Sequence, residues 1–345
     1  MVFVDAARAM RASWLLAAFA MGVLITAPAR AQEAVDMAAA KKEGKVVWYT
    51  STPIAQAQKI AGLFKAATGI EVELFRSGGS EVLRRFQQEG AAGRIVADVM
   101  TTSDPAASQL LAKKGTFVPF KPRNFDKIGD EAKDKDGQFI AQRLNIMTIY
   151  LRGDKVAEAD RPKTWADVTD PKHKGKLVMT DPSFTALQLT VVGMMAKERG
   201  WGFYEKLQAN KVMIVQGNEQ VSDMIKRAER VIAVGALDSY AAEDRKEGHA
   251  ITTVFPTEGT FLIPSPSAVV KGSPSPNAGK LLAEFMLGDT AQKLFPESGG
   301  YAARADMPAP EGSPAVKDLK VLPVDYDYIE KESARIKRRF NEVFQ

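Results

Sequence analysis

The residues most able to do chemistry here are small and hydroxyl-bearing, and they recur in short groups. Five such groups stand out: Ser51-Thr52, Ser77-Gly78-Gly79-Ser80, Thr101-Thr102-Ser103, Ser183-Phe184-Thr185 and Asp238-Ser239-Tyr240. Each follows a β-branched or apolar run and precedes a helical pattern. Taken singly, a Ser, Thr or Asp there is a helix cap, because its oxygen accepts a free backbone N–H. Taken together, five groups at strand-to-helix loops describe a ligand cleft. Helix N-termini carry unpaired N–H groups and the positive end of the helix dipole, so they attract anions and hydrogen-bond acceptors. The expected ligand-binding residues are therefore Ser51, Thr52, Ser77, Gly78, Gly79, Ser80, Thr102, Ser103, Ser183, Phe184, Thr185, Asp238 and Tyr240. If Asp104 or Asp238 faces the cleft, a ligand that also bears a positive group fits better than a bare anion. If both cap helices, they say nothing about the ligand.

Enzyme chemistry has little to stand on. Ser77-Gly78-Gly79-Ser80 lacks the lysine of a phosphate-binding P-loop and is not a nucleophile elbow. The two histidines, His173 and His249, lie in charged, loop-like surroundings and read as surface residues. With no cysteine in the chain, thiolate nucleophiles and thiolate metal sites are excluded. The reading is a binding protein, not an enzyme, with no catalytic residues and no cofactor.

Alternation of strand and helix positions these loops. The run 45–50 (KVVWYT) is a strand, followed by a helix started by Thr52-Pro53, with Ala57, Ile60, Phe64 and Ala67 at helical spacing and Gly69 as its stop. Ile70, Val72 and Leu74 alternate as in a second strand. Val82 and Phe86 face inward from the next helix, 95–100 is a buried strand, and Asp104-Pro105 opens a capped helix. Beyond a loop-like stretch at 119–137, strands are predicted at 145–151, 176–179, 212–215, 231–236 and within 252–263. Helices are predicted over 183–199, after Asn218 and Asp238 as caps, and over 278–287 and 325–344. Such alternation implies α/β architecture with mainly parallel sheets flanked by helices. Ligands then sit at the carboxyl ends of the strands.

The chain has 345 residues and a formal charge of +5. Arg8 and Arg11, an apolar run of 12 residues from Trp14 to Ile25, and Ala29-Arg30-Ala31 read as an export signal cleaved after Ala31. The apolar run is well short of the roughly 20 residues that span a bilayer as a helix. Removing it leaves a charge of about +3 with the two signs interleaved, which does not suggest nucleic-acid binding. The remaining length favours two domains. An exported chain without cysteine has no disulfides and no lipidated cysteine, so a freely diffusing periplasmic protein is expected.

Several segments resemble one family: KKEGKVVWYTS at 41–51, Ala97-Asp98-Val99, PKTWADVTDPKHKGKLVMTDPSFT at 162–185, EGTFLIPSPSAVVKGSPSPNAGKLLAEFMLG at 258–288 and SGGYAARADM at 298–307. Together they are similar to the periplasmic solute-binding proteins of ABC importers, ferric-ion, thiamine and phosphonate type. The resemblance implies a type II periplasmic binding protein whose two lobes, 32–148 plus 265–310 and 149–264 plus 311–345, close on a ligand between them. Pro264-Ser265-Pro266-Ser267 would cross between lobes. The implied partners are a small-molecule ligand and an inner-membrane permease with its ATPase, and the protein is expected to be a monomer. Iron-binding members carry a histidine after the first strand and adjacent tyrosines after the strand that here ends at Ala236. Here 49–53 holds no histidine, and Tyr240 is followed by Ala241. Tyr240 is the one phenolate available if ferric ion is the ligand. The Asp181-Pro182-Ser183-Phe184-Thr185 loop matches the anion-holding helix start, so the expected ligand is a small organic phosphate, phosphonate or carboxylate.

Overall fold

The structure, a computed structural model, describes residues 35–344. The export segment expected at 1–31 lies outside them. In chain order the elements are α1 (Met37–Glu43), β1 (Lys45–Thr50), α2 (Ile54–Thr68), β2 (Glu71–Arg76), α3 (Gly79–Ala91), β3 (Val99–Thr101), α4 (Pro105–Lys113) and β4 (Ile140–Arg152). There follow β5 (Leu177–Thr180), α5 (Ala186–Arg199), α6 (Gly202–Ala209), β6 (Met213–Val215), α7 (Asn218–Lys226), β7 (Ile232–Leu237), α8 (Asp238–Lys246) and β8 (Ile251–Val254). The chain ends with β9 (Phe261–Val269), α9 (Pro276–Met286), α10 (Asp289–Glu297), β10 (Tyr301–Ala302) and α11 (Tyr326–Phe344).

The strands form one sheet ordered β2-β1-β3-β9-β4-β7-β5-β6, with β8 and β10 paired to β4. Its two outer parts are parallel: β1 pairs with β2 and β3, and β5 pairs with β6 and β7. Its middle is antiparallel, because β4 and β9 run across it against each other and against their neighbours. β4 is longer than the periodicity suggests, and its first 12 residues are all buried. The Pro264-Ser265-Pro266-Ser267 segment, expected to cross between lobes, is part of β9.

Packing explains where each boundary falls. Ala57, Ile60 and Phe64 of α2 are fully buried against Trp48 and Phe295. Ala67 is exposed, and Thr68 takes the inward place expected of it. Gly69 ends the helix in the left-handed region (φ 80°), which a glycine enters without a Cβ clash. The strand expected over 95–100 is confined to β3 (Val99–Thr101), and just before it the buried Asp98 carboxylate accepts backbone N–H groups from Val47 and Ser275, at 2.7 Å each. The Asp98 backbone itself pairs with Val47 and Val270, and Ile95 is exposed. A second core forms around Met147, Trp165, Leu207, Ile336 and Phe340, where α5, α6 and α11 cover the other end of the sheet. Truncating a core aromatic such as Phe64 or Phe340 to alanine would cost about 3–5 kcal/mol. His173 is buried, contrary to the surface position expected of it; burial lowers its proton affinity, so it packs neutral.

Candidate functional site

A cleft opens where the carboxyl ends of the strands meet the helix starts. It has a water-accessible volume of about 140 Å³. Ser51 after β1, Arg76 at the end of β2, Ser103 after β3 and Leu237 at the end of β7 line it. So do the starts of four helices: Gly78 and Gly79 at α3, Thr185 to Leu187 at α5, Gly217 to Gln220 at α7, and Tyr240 in the first turn of α8. None of these four helices has a side-chain cap. Their first turns are therefore free of side-chain acceptors, although the Ser80 N–H of α3 is already held by the Phe184 carbonyl at 3.3 Å, and a first-turn N–H left without a backbone partner can donate to an acceptor in the cleft.

Two arginines face this space. Arg143 lies on β4 and is only 4% exposed. A register shift in the β4–β9 pairing puts it there: Ala141 pairs with Pro266 and Leu144 with Pro264, so Gln142 and Arg143 together face Ser265. An extra residue in one strand re-aims its side chain, and prolines 264 and 266 have no N–H with which to restore the ladder. The Arg143 guanidinium touches the Ser51 carbonyl at 3.5 Å, its Nε has no partner, and no carboxylate pairs with it among the described residues. Burial pushes its pKa down to about 10, with Arg76 adding repulsion. Arg76 donates from Nε to the Thr52 carbonyl at 3.2 Å and presents the rest of its guanidinium to the cleft. Burial pushes the Tyr240 phenol up to about 12 against the opposing pull of both arginines, so it stays protonated and can donate.

The comparisons agree on the family. Residues 95–332 match the family model of the bacterial extracellular solute-binding proteins. The chain belongs to this family. A Salmonella typhimurium periplasmic protein provisionally named for 2-aminoethylphosphonate binding is 27% identical over 256 residues, 71% of this chain and 73% of that one. The fold is that of periplasmic binding protein AfuA from Actinobacillus pleuropneumoniae, solved with fructose-6-phosphate (TM-score 0.78, 20% identity, covering 87% of this chain and 98% of that one). It is also that of iron-bound HitA from Pseudomonas aeruginosa (TM-score 0.73, 20% identity, 86% and 99% covered). Members of the family are binding proteins.

In this solute-binding protein, seven of the thirteen residues expected from sequence line the cleft: Ser51, Gly78, Gly79, Ser103, Phe184, Thr185 and Tyr240. The other six do not. Thr52 is buried behind the loop, where its hydroxyl meets those of Thr50 (2.8 Å) and the Gln142 amide (2.5 Å); it caps nothing, and Pro53 holds the cap position of α2. The Thr102 hydroxyl donates to the Gly79 carbonyl. Ser80 and Ser183 face a separate surface pocket beside α11. Ser77 is not among the residues lining the cleft, and its N–H is held by the Thr50 carbonyl. Asp238 is buried and accepts from Thr253 at 2.8 Å, with its carboxylate directed away from the cleft and from any cap. Asp104 caps α4 through the Ala107 N–H at 3.0 Å. Asn218 opens α7 as its first residue, with Gly217 at the cap.

Sequence reasoning missed Arg76, Arg143 and the 216–220 turn. A signal existed for Arg143: a charged residue inside the apolar run IAQRLNIMTIYL has to face either a partner or a ligand. Arg76 had a weaker one, standing at a strand end directly before the glycine pair.

Proposed function

We propose that the protein is the periplasmic substrate-binding component of an ABC importer, and that its cleft captures a small organic phosphate, phosphonate or carboxylate by the anionic group. The observation that supports this most is Arg143. A buried guanidinium without a counter-ion is costly, and an anion entering beside it supplies the missing charge and acceptors. Arg76, the Tyr240 phenol and four uncapped helix starts converge on the same space. A ferric ion fits this wall less well. Hard cations want several anionic oxygens, and here two guanidinium groups face the cleft beside one protonated phenol and one carboxylate, Glu219.

On this reading 32–148 plus 265–310 form one lobe and 149–264 plus 311–345 the other, joined by β4 and β9. The contact between Gly78 and Phe184 and the Ser80 N–H to Phe184 carbonyl bond (3.3 Å) belong to the closed form. The export signal ends at Ala31, the protein works in the periplasm as a monomer, and the ligand passes unchanged to the permease and its ATPase. Calorimetric titration of the chain from Gln32 with inorganic phosphate, alkylphosphonates, phosphomonoesters, carboxylates and ferric citrate tests it. Saturable binding of an anion without turnover is expected. A coloured ferric complex lost in Tyr240→Phe, with no anion binding, would overturn it.

A further inference from the structure

The cleft is basic on one wall only. Arg76 and Arg143 come from β2 and β4, whereas the start of α7 brings Gln216, Asn218, Glu219 and Gln220 to the same space. Glu219 is the informative one. Three of the four helices at the cleft carry a carboxylate in the first turn, and two of those carboxylates are committed elsewhere. Glu81 of α3 is paired with Arg84 outside the cleft. Asp238 of α8 is bonded to Thr253 behind it. Glu219 lines the cleft and has no hydrogen-bond or ion-pair partner among the described residues. Glu219 shares the cleft lining with Arg76, Arg143 and Tyr240, and its charge, like those of the two arginines, acts on the Tyr240 phenol.

A carboxylate in a first turn has an ordinary structural role, which is to offset the helix dipole. Glu219 has that role too, but it also makes α7 the one helix start in the cleft whose positive end is already answered by a residue facing the ligand. A bare anion gains from the arginines and is repelled by Glu219. A ligand with an ammonium group a short spacer away from its anion gains from both walls. We propose that Glu219 selects zwitterionic ligands, holding the ammonium of a compact aminoalkyl phosphonate, phosphate or carboxylate whose anionic group rests on Arg76 and Arg143. This rests on the reading of the cleft as an anion site.

The test uses probe pairs of matched shape, one with an ammonium and one with a methyl in its place: 2-aminoethylphosphonate against propylphosphonate, and β-alanine against butyrate. In calorimetry on the mature chain, the amino member of at least one pair is expected to bind about tenfold or more tightly than its partner. Glu219→Gln should remove that preference by weakening the amino probe and tightening the alkyl one about 2–5-fold, since a repulsion goes with the charge. Equal affinities within each pair, or a preference that persists in Glu219→Gln, would overturn the role of Glu219 while leaving the anion site standing. If phosphomonoesters bind and none of these probes does, the role of Glu219 is overturned and the anion site stands; if neither the probes nor inorganic phosphate nor phosphomonoesters bind, the anion site itself fails, and the proposal falls with it.

Discussion

Replacing Arg143 with methionine should make the empty protein more stable and the ligand-binding protein useless, and the two effects separate function from structure. Arg143 is 4% exposed and has no carboxylate partner. Lowering its pKa from the ordinary arginine value to about 10 corresponds to roughly 3 kcal/mol of penalty for keeping it charged at neutral pH. Methionine fills similar space without a charge and gives up only a 3.5 Å contact to the Ser51 carbonyl, which is too long to contribute much. The expected outcome for Arg143→Met is a gain of about 1–3 kcal/mol in urea unfolding without ligand, or roughly 2–4 °C in melting temperature. Anion binding should weaken about 30-fold or more, because one side of a charge-assisted contact is gone, and the ligand-induced rise in melting temperature should vanish with it. A variant that melts lower by more than about 1 kcal/mol and still binds the same anion as before would show that Arg143 is a structural residue. The argument from the unpaired charge would then be wrong.

Other outcomes follow from the same geometry. Anion affinity should hold from neutral pH upward and fall as pH rises through about 10, where Arg143 loses its proton; titrations at pH 7, 9 and 10.5 would show it. Stability moves the other way: above that pH the unfolded chain still holds the proton that the folded chain has released, so the burden of Arg143 on the empty protein fades. Tyr240, pushed up to about 12, remains a donor over this range and adds nothing to the fall. Tyr240→Phe should weaken binding about 3–10-fold, the worth of one hydrogen bond, with little change in unfolding. Gly78→Ala places a Cβ against the Phe184 carbonyl and ring, so it should hinder closure and lower affinity about tenfold or more. Small-angle scattering would then show a liganded form that stays open, while the unfolding midpoint is unchanged.

How far the sequence reached depended on how local each question was. The strand-to-helix alternation, the glycine stop at Gly69, the Asp104 cap with Pro105, and the placing of hydroxyl and glycine groups at strand ends all depend on residues a few positions apart. They were legible because backbone preference and side-chain periodicity act over that range. The cap readings at Thr52, Asn218 and Asp238 failed because those side chains found other partners, and some lie far along the chain: Thr52 meets Gln142 and Asp238 meets Thr253. Ser51 likewise bonds Ser103, and Ser103 in turn bonds Ser265. The charges that line the cleft were decided by tertiary structure alone. Whether Arg143 points into the cleft or away from it depends on the register of β4 against β9, about 120 residues on in the chain. A shift of one residue turns a strand side chain to the opposite face. The sequence determined that helix starts would gather around a cleft. Only the packed sheet decided that two arginines and one unpaired glutamate would face it, because register and the competition for distant partners do not exist until the chain is folded.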